Sequence, residues 1–179
     1  MEFKEVLETR RSMRKYKADK KIDKLVIDEL IKAALWAPTW KNSETGRYYV
    51  VLSEDKLLEF RNDCLAEYNR NNSNNACAII VTTFVKNISG FDASGEPTNE
   101  LGNGWGIYDL GLQNQNLLLK AKEMGLDTLV MGIRDAEKIR KMLDIPEEEM
   151  LVSAIALGYG EIEAKAPKRK EVEEVLKIY

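Results

Sequence analysis

The segment Ala78–Val85, with the sequence AIIVTTFV, decides the fold because it is a nearly continuous apolar run. Such a run, without alternation of polar and apolar residues, is typical of a central strand buried on both faces of a sheet. Three further segments, at 48–52, 127–133 and 150–157, have the composition of strands. The chain therefore contains four candidate strands, with Ala78–Val85 at the centre of the sheet.

Five amphipathic segments surround these strands and predict helices at 2–14, 24–35, 54–68, 107–124 and 136–143. Asp23, Ser53 and Asp135 stand at N-cap positions, and Gly125 stands where a left-handed residue ends a helix. The Asn-rich run 69–75 predicts a loop by its composition. Strands alternating with helices indicate a layered α/β or α+β fold, and the chain length suits a single domain, residues 1–179.

Two segments have no obvious place in such a core. Residues 86–105 lack periodicity and are rich in glycine, so they form either a lid or binding loop over a site or a mobile insertion. The tail 164–179 carries apolar residues at 172, 175, 176 and 178. These side chains need to be covered by another surface.

Composition excludes several classes of protein. The net charge of -3 argues against a nucleic-acid-binding face, and no apolar run is long enough to span a membrane. The charged N-terminus lacks the apolar core of a secretion signal. Cys64 and Cys77 are not in a C-x-x-C pair, and we expect each to fill core space rather than form a disulfide. A cytoplasmic protein that binds neither nucleic acid nor membrane is expected.

The absence of histidine restricts the chemistry further. Ser-His-Asp and Cys-His nucleophiles need an imidazole base, so they are excluded in their usual form. Zinc sites with histidine ligands are excluded as well, and two cysteines cannot build a four-thiolate zinc site. No G-x-G-x-x-G follows the first strand and no Walker A lysine loop is present, which argues against those standard nucleotide sites. If the protein is an enzyme, a bound cofactor is expected to carry its chemistry.

Positive charge is concentrated in two places. Arg10–Arg14 (RRSMR) puts three guanidiniums and a hydroxyl close together, and a second basic cluster occupies 165–170. Guanidinium binds two phosphate oxygens at once, so the first cluster suits an anion site. The alternative is a solvated basic end of helix 2–14, where cations suit the helix dipole. Spacing alone leaves both interpretations open.

The order of these features resembles the FMN-dependent nitroreductase family, also described as NADH oxidase/flavin reductase-like. The resemblance extends over nearly the whole chain, and five motifs carry it. The first motif is Arg10–Arg14 followed by Tyr16, and the second is Ala37-Pro38-Thr39 followed by Asn42-Ser43. The third consists of Asp109, Gly111, Gln115–Leu119 and Gly125-Leu126. The fourth is the pair Gly132 and Asp135, and the fifth is Leu157-Gly158-Tyr159 followed by Lys168–Val175. The family's Gln-Pro-Trp after Asn-Ser is replaced here by Glu44-Thr45-Gly46, which leaves substrate preference open.

The resemblance implies a fold, a cofactor and an activity. The fold would be an α+β, three-layer α-β-α sandwich with a central mixed, mainly antiparallel sheet, in a homodimer whose C-terminal segment extends onto the partner. FMN would lie at the dimer interface, take hydride from NADH or NADPH, and reduce a nitroaromatic, a quinone or a similar small acceptor by a ping-pong scheme. The alternatives are a non-catalytic flavin-binding protein for storage or sensing, and a relative with reductive dehalogenase or flavin-consuming activity.

It also implies which residues contact FMN, while no protein side chain is implied as a catalytic acid or base. Arg10, Ser12 and Arg14 match positions at the phosphate, the ribityl chain and the pyrimidine edge, with Arg11 beside them at a variable position. Lys168 and Arg169 match the second half of the phosphate clamp. Pro38, Thr39, Trp40 and Asn42 match a loop that the other subunit supplies. Met131 and Gly132 match the backbone that faces the flavin ring. Asn69 or Asn71 matches a polar contact to the ring. Trp40 is either an aromatic wall for the substrate or a dimer contact.

Overall fold

The computed structural model describes all residues, 1–179. Four strands form one sheet: β1 (Gly46–Val51), β2 (Ala78–Val85), β3 (Asp127–Met131) and β4 (Glu149–Gly158). Six α-helices accompany them: α1 (Phe3–Thr9), α2 (Lys24–Leu35), α3 (Glu54–Cys64), α4 (Glu67–Asn72), α5 (Gly104–Glu123) and α6 (Ala136–Met142). Short 3₁₀ turns occupy Trp40–Asn42 and Val172–Glu174.

The sheet has the strand order β1-β2-β4-β3, and every pair of neighbours is antiparallel. β2 lies between β1 and β4, as its apolar run predicts, and every residue from Ala78 to Phe84 is buried. One parallel contact is added at the outer edge of β3, where Ser12 pairs with Thr128. The prediction of a mainly antiparallel sheet is confirmed.

Helices cover both faces of this sheet. On one face α2 and α5 pack over an apolar core that contains Leu30, Leu117 and Ile155. On the other face α3 and α6 pack over a second core that contains Phe60, Ile139 and Ala154. Consecutive residues of β4 enter opposite cores because side chains alternate along a strand. The predicted three-layer sandwich is therefore confirmed.

Helix caps follow the sequence in most places. The Asp23 carboxylate accepts a hydrogen bond from the backbone N–H of Val26, and that of Asp135 accepts one from Lys138, both at 3.0 Å. Gly125 ends α5 with a φ of 76°, in the left-handed region. Ser53 precedes α3 but makes no side-chain cap, so that prediction is wrong.

α5 begins at Gly104, three residues before its predicted start, and two other helices end well before the predicted residue. The expected helix at 2–14 ends at Thr9, and the following residues are extended because they pair with β3. The expected helix at 54–68 ends at Cys64, because Leu65 pairs with Arg134 and the Asp135 N–H donates to the Cys64 carbonyl at 2.8 Å. A separate helix, α4, then spans Glu67–Asn72, so the loop predicted at 69–75 is wrong for residues 69–72 and right for the turn at 73–75.

The segment between β2 and α5 is held by its own hydrogen bonds. The backbone N–H and hydroxyl of Thr98 both donate to the Gly90 carbonyl at 2.8 Å, and the Trp105 indole N–H donates to Asn99 at 2.9 Å. The tail beyond Lys165, in contrast, is exposed throughout, including Val175 and Ile178. None of the helices combines the length and apolar character that crossing a bilayer requires.

Candidate functional site

The basic stretch Arg10–Arg14 runs along the outer edge of β3. The Met13 backbone N–H donates to the Thr128 carbonyl at 2.9 Å, next to the Ser12–Thr128 bridge. Because side chains alternate along an extended chain, Met13 points into the core and is 4% exposed, whereas Ser12 and Arg14 face solvent. Strand pairing, rather than a helix end, therefore directs the polar side chains of this stretch outward.

The chain that leaves β4 returns along the same stretch. Tyr16 pairs with Gly160, and the Glu161 N–H donates to the Lys15 carbonyl at 3.0 Å. Tyr16 fixes this junction: its side chain is 1% exposed, and its hydroxyl lies 3.2 Å from the Met13 carbonyl. From there the C-terminal segment continues past the arginines and brings the second basic cluster to the first.

The two segments enclose a cavity of about 610 Å³, which we call the arginine cavity. Its charged lining consists of four arginines, one lysine and one carboxylate: Arg10, Arg11, Arg14, Arg169, Lys165 and Glu163. Ser12 adds a hydroxyl. The structure thus brings together five of the predicted site residues, namely Arg10, Arg11, Ser12, Arg14 and Arg169. Lys168 is exposed and does not line the cavity, whereas Lys165 does.

Positive charge in the arginine cavity is not balanced within the chain. None of its arginines, nor Lys165, forms a salt bridge. The pKa of Arg10 lies below its ordinary value, first because the guanidinium is partly buried and then because the charges of Arg11 and Arg169 repel it. A bound anion would relieve this repulsion, so the electrostatics of the cavity favour anion binding.

Two further predicted residues lie at the end of β3. Met131 is the last residue of the strand and its side chain is 2% exposed in the core, while Gly132 follows at the surface. The Asn69 side-chain amide donates to the Ile133 carbonyl at 2.7 Å. Within this chain Asn69 therefore anchors the backbone next to Gly132. Asn71 is exposed on α4.

The loop Pro38–Asn42 lies elsewhere and lines no part of the arginine cavity. Pro38 and Asn42 are exposed, and Thr39 and Trp40 are half-buried. The Trp40 ring packs against Trp105 at the start of α5, with ring centroids 4.7 Å apart.

Strand register fixes how far apart the loop and the cavity are. The loop leads into Gly46, which is level with Phe84 and Met150, whereas Ser12 is level with Thr128 and Leu157. The two positions are four strand spacings apart, from β1 across β2, β4 and β3 to the Ser12 segment, and seven residues of β4 apart, at opposite edges and opposite ends of the sheet. At ~4.8 Å per strand spacing and ~3.4 Å per residue, the separation is roughly 30 Å. One small ligand cannot contact both within a single chain.

Sequence reasoning did not assign Asp109, Ser89 or Trp105 to the site, although all three support the Pro38–Asn42 loop. The Asp109 carboxylate accepts from the Trp40 backbone N–H at 2.9 Å and from the Ser89 hydroxyl at 2.8 Å. Asp109 belongs to one of the motifs that carry the family resemblance. The sequence does not show that its carboxylate is buried on α5, and this burial is the feature that indicates a role. Ser89 lies in the aperiodic 86–105 segment, where no pattern distinguishes it.

Comparison with known proteins identifies the class. The model of the Nitroreductase family matches residues 7–159. The chain therefore belongs to the Nitroreductase family, as the resemblance indicated.

Individual relatives agree with this family. A protein of Methanothermobacter thermautotrophicus with the provisional name NADH dehydrogenase/NAD(P)H nitroreductase is 28% identical over 165 residues, covering 89% of this chain and 78% of the relative. A nitroreductase family protein from Clostridium novyi has a solved structure with a TM-score of 0.75 and 25% identity, covering 90% and 86% of the two chains. A nitroreductase of Exiguobacterium sibiricum, provisionally so named and solved in complex with FMN, shares the fold at a TM-score of 0.82 and 19% identity, covering 100% and 98%.

Proposed function

We propose that this protein is an FMN-dependent oxidoreductase. It takes hydride from NADH or NADPH and reduces a nitroaromatic, a quinone or a similar small acceptor by a ping-pong scheme. The observation that carries the proposal is the arginine cavity, in which Arg10, Arg14 and Arg169 converge from the two ends of the chain and none of them forms a salt bridge. The names of the relatives supply the donor and acceptor classes.

The residues of the arginine cavity fit the phosphate end of FMN. A phosphate ester carries about -1.5 to -2 charges near neutral pH, which matches a site with several unpaired cations. Arg10, Arg169 and Lys165 would hold the phosphate, with Arg11 beside them and Ser12 donating its hydroxyl. Lys168 is exposed and lies in sequence between Pro167 and Arg169, which line the cavity, so it would add long-range attraction. Charge-assisted hydrogen bonds of this kind are the strong ones in proteins.

The other end of the cofactor would follow the edge of β3. Arg14 would face the ring and favour negative charge on it, and the backbone at Met131 and Gly132, anchored through Asn69, would lie along it. Bound FMN would supply the hydride chemistry, which amino-acid side chains do not offer. The protein's own task is then to bind, to orient and to exclude water.

A homodimer completes the proposal. Large apolar side chains are exposed on α1 and after α2, with Phe3 at 69% and Trp36 at 87%, and further ones lie on the tail, such as Ile178 at 85%. An exposed apolar surface of this kind indicates an interaction site. A second subunit would cover it and would bring its own Pro38–Asn42 loop to the FMN that the first subunit holds. We place this dimer in the cytoplasm, where free Cys64 and Cys77 remain reduced.

Anaerobic reduction tests three points in one experiment: whether the protein binds FMN, which nicotinamide nucleotide donates hydride, and whether the bound flavin passes electrons to an acceptor. The purified protein, loaded with FMN, should lose its oxidised flavin absorbance on addition of NADH or NADPH and recover it on addition of menadione or nitrofurazone. Flavin that binds but stays oxidised with both nucleotides would indicate a storage or sensing protein. A protein that shows no affinity for FMN would overturn the cofactor assignment itself.

A further inference from the structure

The Pro38–Asn42 loop has a backbone that does not form easily by itself. Lys41, Asn42 and Glu44 have φ values of 46°, 54° and 48°, three non-glycine residues in the left-handed region within four positions. Such conformations persist only where surrounding contacts determine them. The structure therefore has to contain the groups that hold this loop.

Asp109 of α5 is the central group among these contacts. Its side chain is 4% exposed, and one carboxylate oxygen accepts both the Trp40 N–H and the Ser89 hydroxyl. The carboxylate has no lysine or arginine partner. A buried carboxylate without a cation is costly unless several donors satisfy it. The loop supplies one of these donors through its own backbone.

Hydroxyl groups extend this connection along the loop. The Ser89 side chain, 2% exposed, lies 2.8 Å from the Ser43 hydroxyl and 3.4 Å from that of Thr45. A hydroxyl has one hydrogen to donate, and an ionised carboxylate only accepts. Since the Ser89 hydrogen points to Asp109, the Ser43 and Thr45 hydroxyls donate to Ser89. Asp109 thus sets the direction of a hydrogen-bond chain that holds both ends of the loop.

Packing leaves the loop little freedom to take another position. The Trp40 ring lies against Trp105, which precedes Asp109 by one helical turn on α5. The Glu44 N–H donates to the Thr39 hydroxyl at 3.2 Å, which closes the loop on itself. One helix therefore presents both the carboxylate that binds the loop backbone and the ring that supports its largest side chain.

We infer that Asp109 is a positioning residue of the cofactor site. Through the Trp40 N–H and through Ser89 it fixes the Pro38–Asn42 loop, together with Ser43 and Glu44 that follow it, in the left-handed conformation. In that conformation the loop contacts the FMN of the partner subunit. This inference rests on the proposed function, since it assumes that the loop contacts FMN across a dimer. Asp109 itself touches no cofactor and acts through the backbone that it holds.

Two variants at position 109 and one control test the inference. Asp109→Ala removes the acceptor, while Asp109→Asn keeps one amide oxygen that accepts from both Trp40 and Ser89. Glu149→Gln is the control, because Glu149 is a second buried carboxylate that accepts from hydroxyls, those of Tyr49 and Thr83, on the opposite face of the sheet. Each protein is measured as full-length apoprotein and after titration with FMN.

Hydrogen exchange of the loop amides and FMN affinity are the two readouts. Asp109→Ala should speed exchange at Trp40, Asn42 and Ser43 at least tenfold, weaken FMN binding at least tenfold and alter the visible circular dichroism of the bound flavin. Asp109→Asn should stay within about 1.5-fold of wild type in both, and Glu149→Gln should change neither. If Asp109→Ala fails to fold, Ser89→Ala provides the same test with an expected effect of about threefold.

The possible outcomes separate the inference from the function on which it rests. Faster loop exchange with unchanged FMN affinity would overturn the inference, because the loop would then not act on the cofactor. Weaker binding with unchanged loop exchange would also overturn it, because Asp109 would act by another route. Wild-type protein that does not bind FMN would instead refute the proposed function, and the exchange data would still show whether Asp109 anchors the loop.

Discussion

Replacing Arg10 by alanine is expected to weaken FMN binding while leaving the apoprotein at least as stable as before. One charged, hydrogen-bonded contact contributes about 1.5–3 kcal/mol, which corresponds to a Kd about 10- to 150-fold higher. The apoprotein should not suffer, because Arg10 is repelled there by Arg11 and Arg169. Relief of that repulsion between partly exposed, solvent-screened charges is worth less than about 1 kcal/mol. Arg169→Ala should behave in the same way.

Flavin fluorescence titration and thermal denaturation measure these two quantities. Arg61→Ala is the matched control, because Arg61 is also partly buried with a lowered pKa, but lies on α3 and outside the arginine cavity. FMN affinity should fall with increasing salt in wild type and less steeply in the cavity variants, since charge carries the interaction. Unchanged affinity in both Arg10→Ala and Arg169→Ala would refute the reasoning. An equal loss in Arg61→Ala would mean that the effect is not specific to the cavity.

Three further changes test the fold and the assembly. Gly106→Ala should destabilise by ~1–3 kcal/mol in urea denaturation, because its Cβ would overlap the buried Phe84 ring; a gain in stability, as helix propensity alone predicts, would contradict that packing. Burial raises the pKa of the Cys64 thiol to about 11. The unfolded chain therefore loses this proton first, and stability should fall between about pH 9 and pH 11. Cys64→Ala should make thermal midpoints less dependent on pH in that range, and an unchanged dependence would contradict the assignment. Removal of residues 164–179 should shift the protein towards monomer in light scattering, and a truncated protein that remains fully dimeric would contradict the proposed role of the tail.

Sequence predicted the elements whose signal is local. β2 was placed to the residue, because an apolar run between an Asn-rich segment and Lys86 has no alternative to a buried strand. Asp23 and Asp135 were identified as caps because a carboxylate near free N–H groups acts within one turn of helix. Where neighbours along the chain decide the structure, composition and pattern were sufficient.

Long-range pairing explains the helix boundaries that were wrong. Arg10–Arg14 has a composition that a helix would accept, yet the burial of Met13 and Tyr16 and the pairing of Ser12 with Thr128 make it extended. Leu65 interrupts the third predicted helix because it pairs with Arg134. In both cases a partner far along the chain overrides local preference, and no window of sequence contains that partner.

The candidate site shows the same division. Each basic cluster is visible in the sequence, but their convergence depends on the pairing of Tyr16 with Gly160, which no local pattern encodes. The family resemblance supplied that convergence as an expectation, and the geometry of the arginine cavity is consistent with it. Asp109 belongs to a family motif, but the sequence assigns it no role. Only its burial and its hydrogen bond to Trp40 indicate that it positions the loop.

Strand order gives the strongest physical argument for an assembly of two chains. The resemblance implies that the arginines and the Pro38–Asn42 loop contact one FMN, yet in one chain they lie at opposite corners of the sheet, roughly 30 Å apart by register. If both groups bind FMN, a single subunit holds two half-sites rather than one site. Either the loop has no part in binding FMN, or a second copy of the chain supplies it. The left-handed backbone of the loop and its attachment to Asp109 favour the second alternative, because a loop without a task does not need three strained residues held by a buried carboxylate.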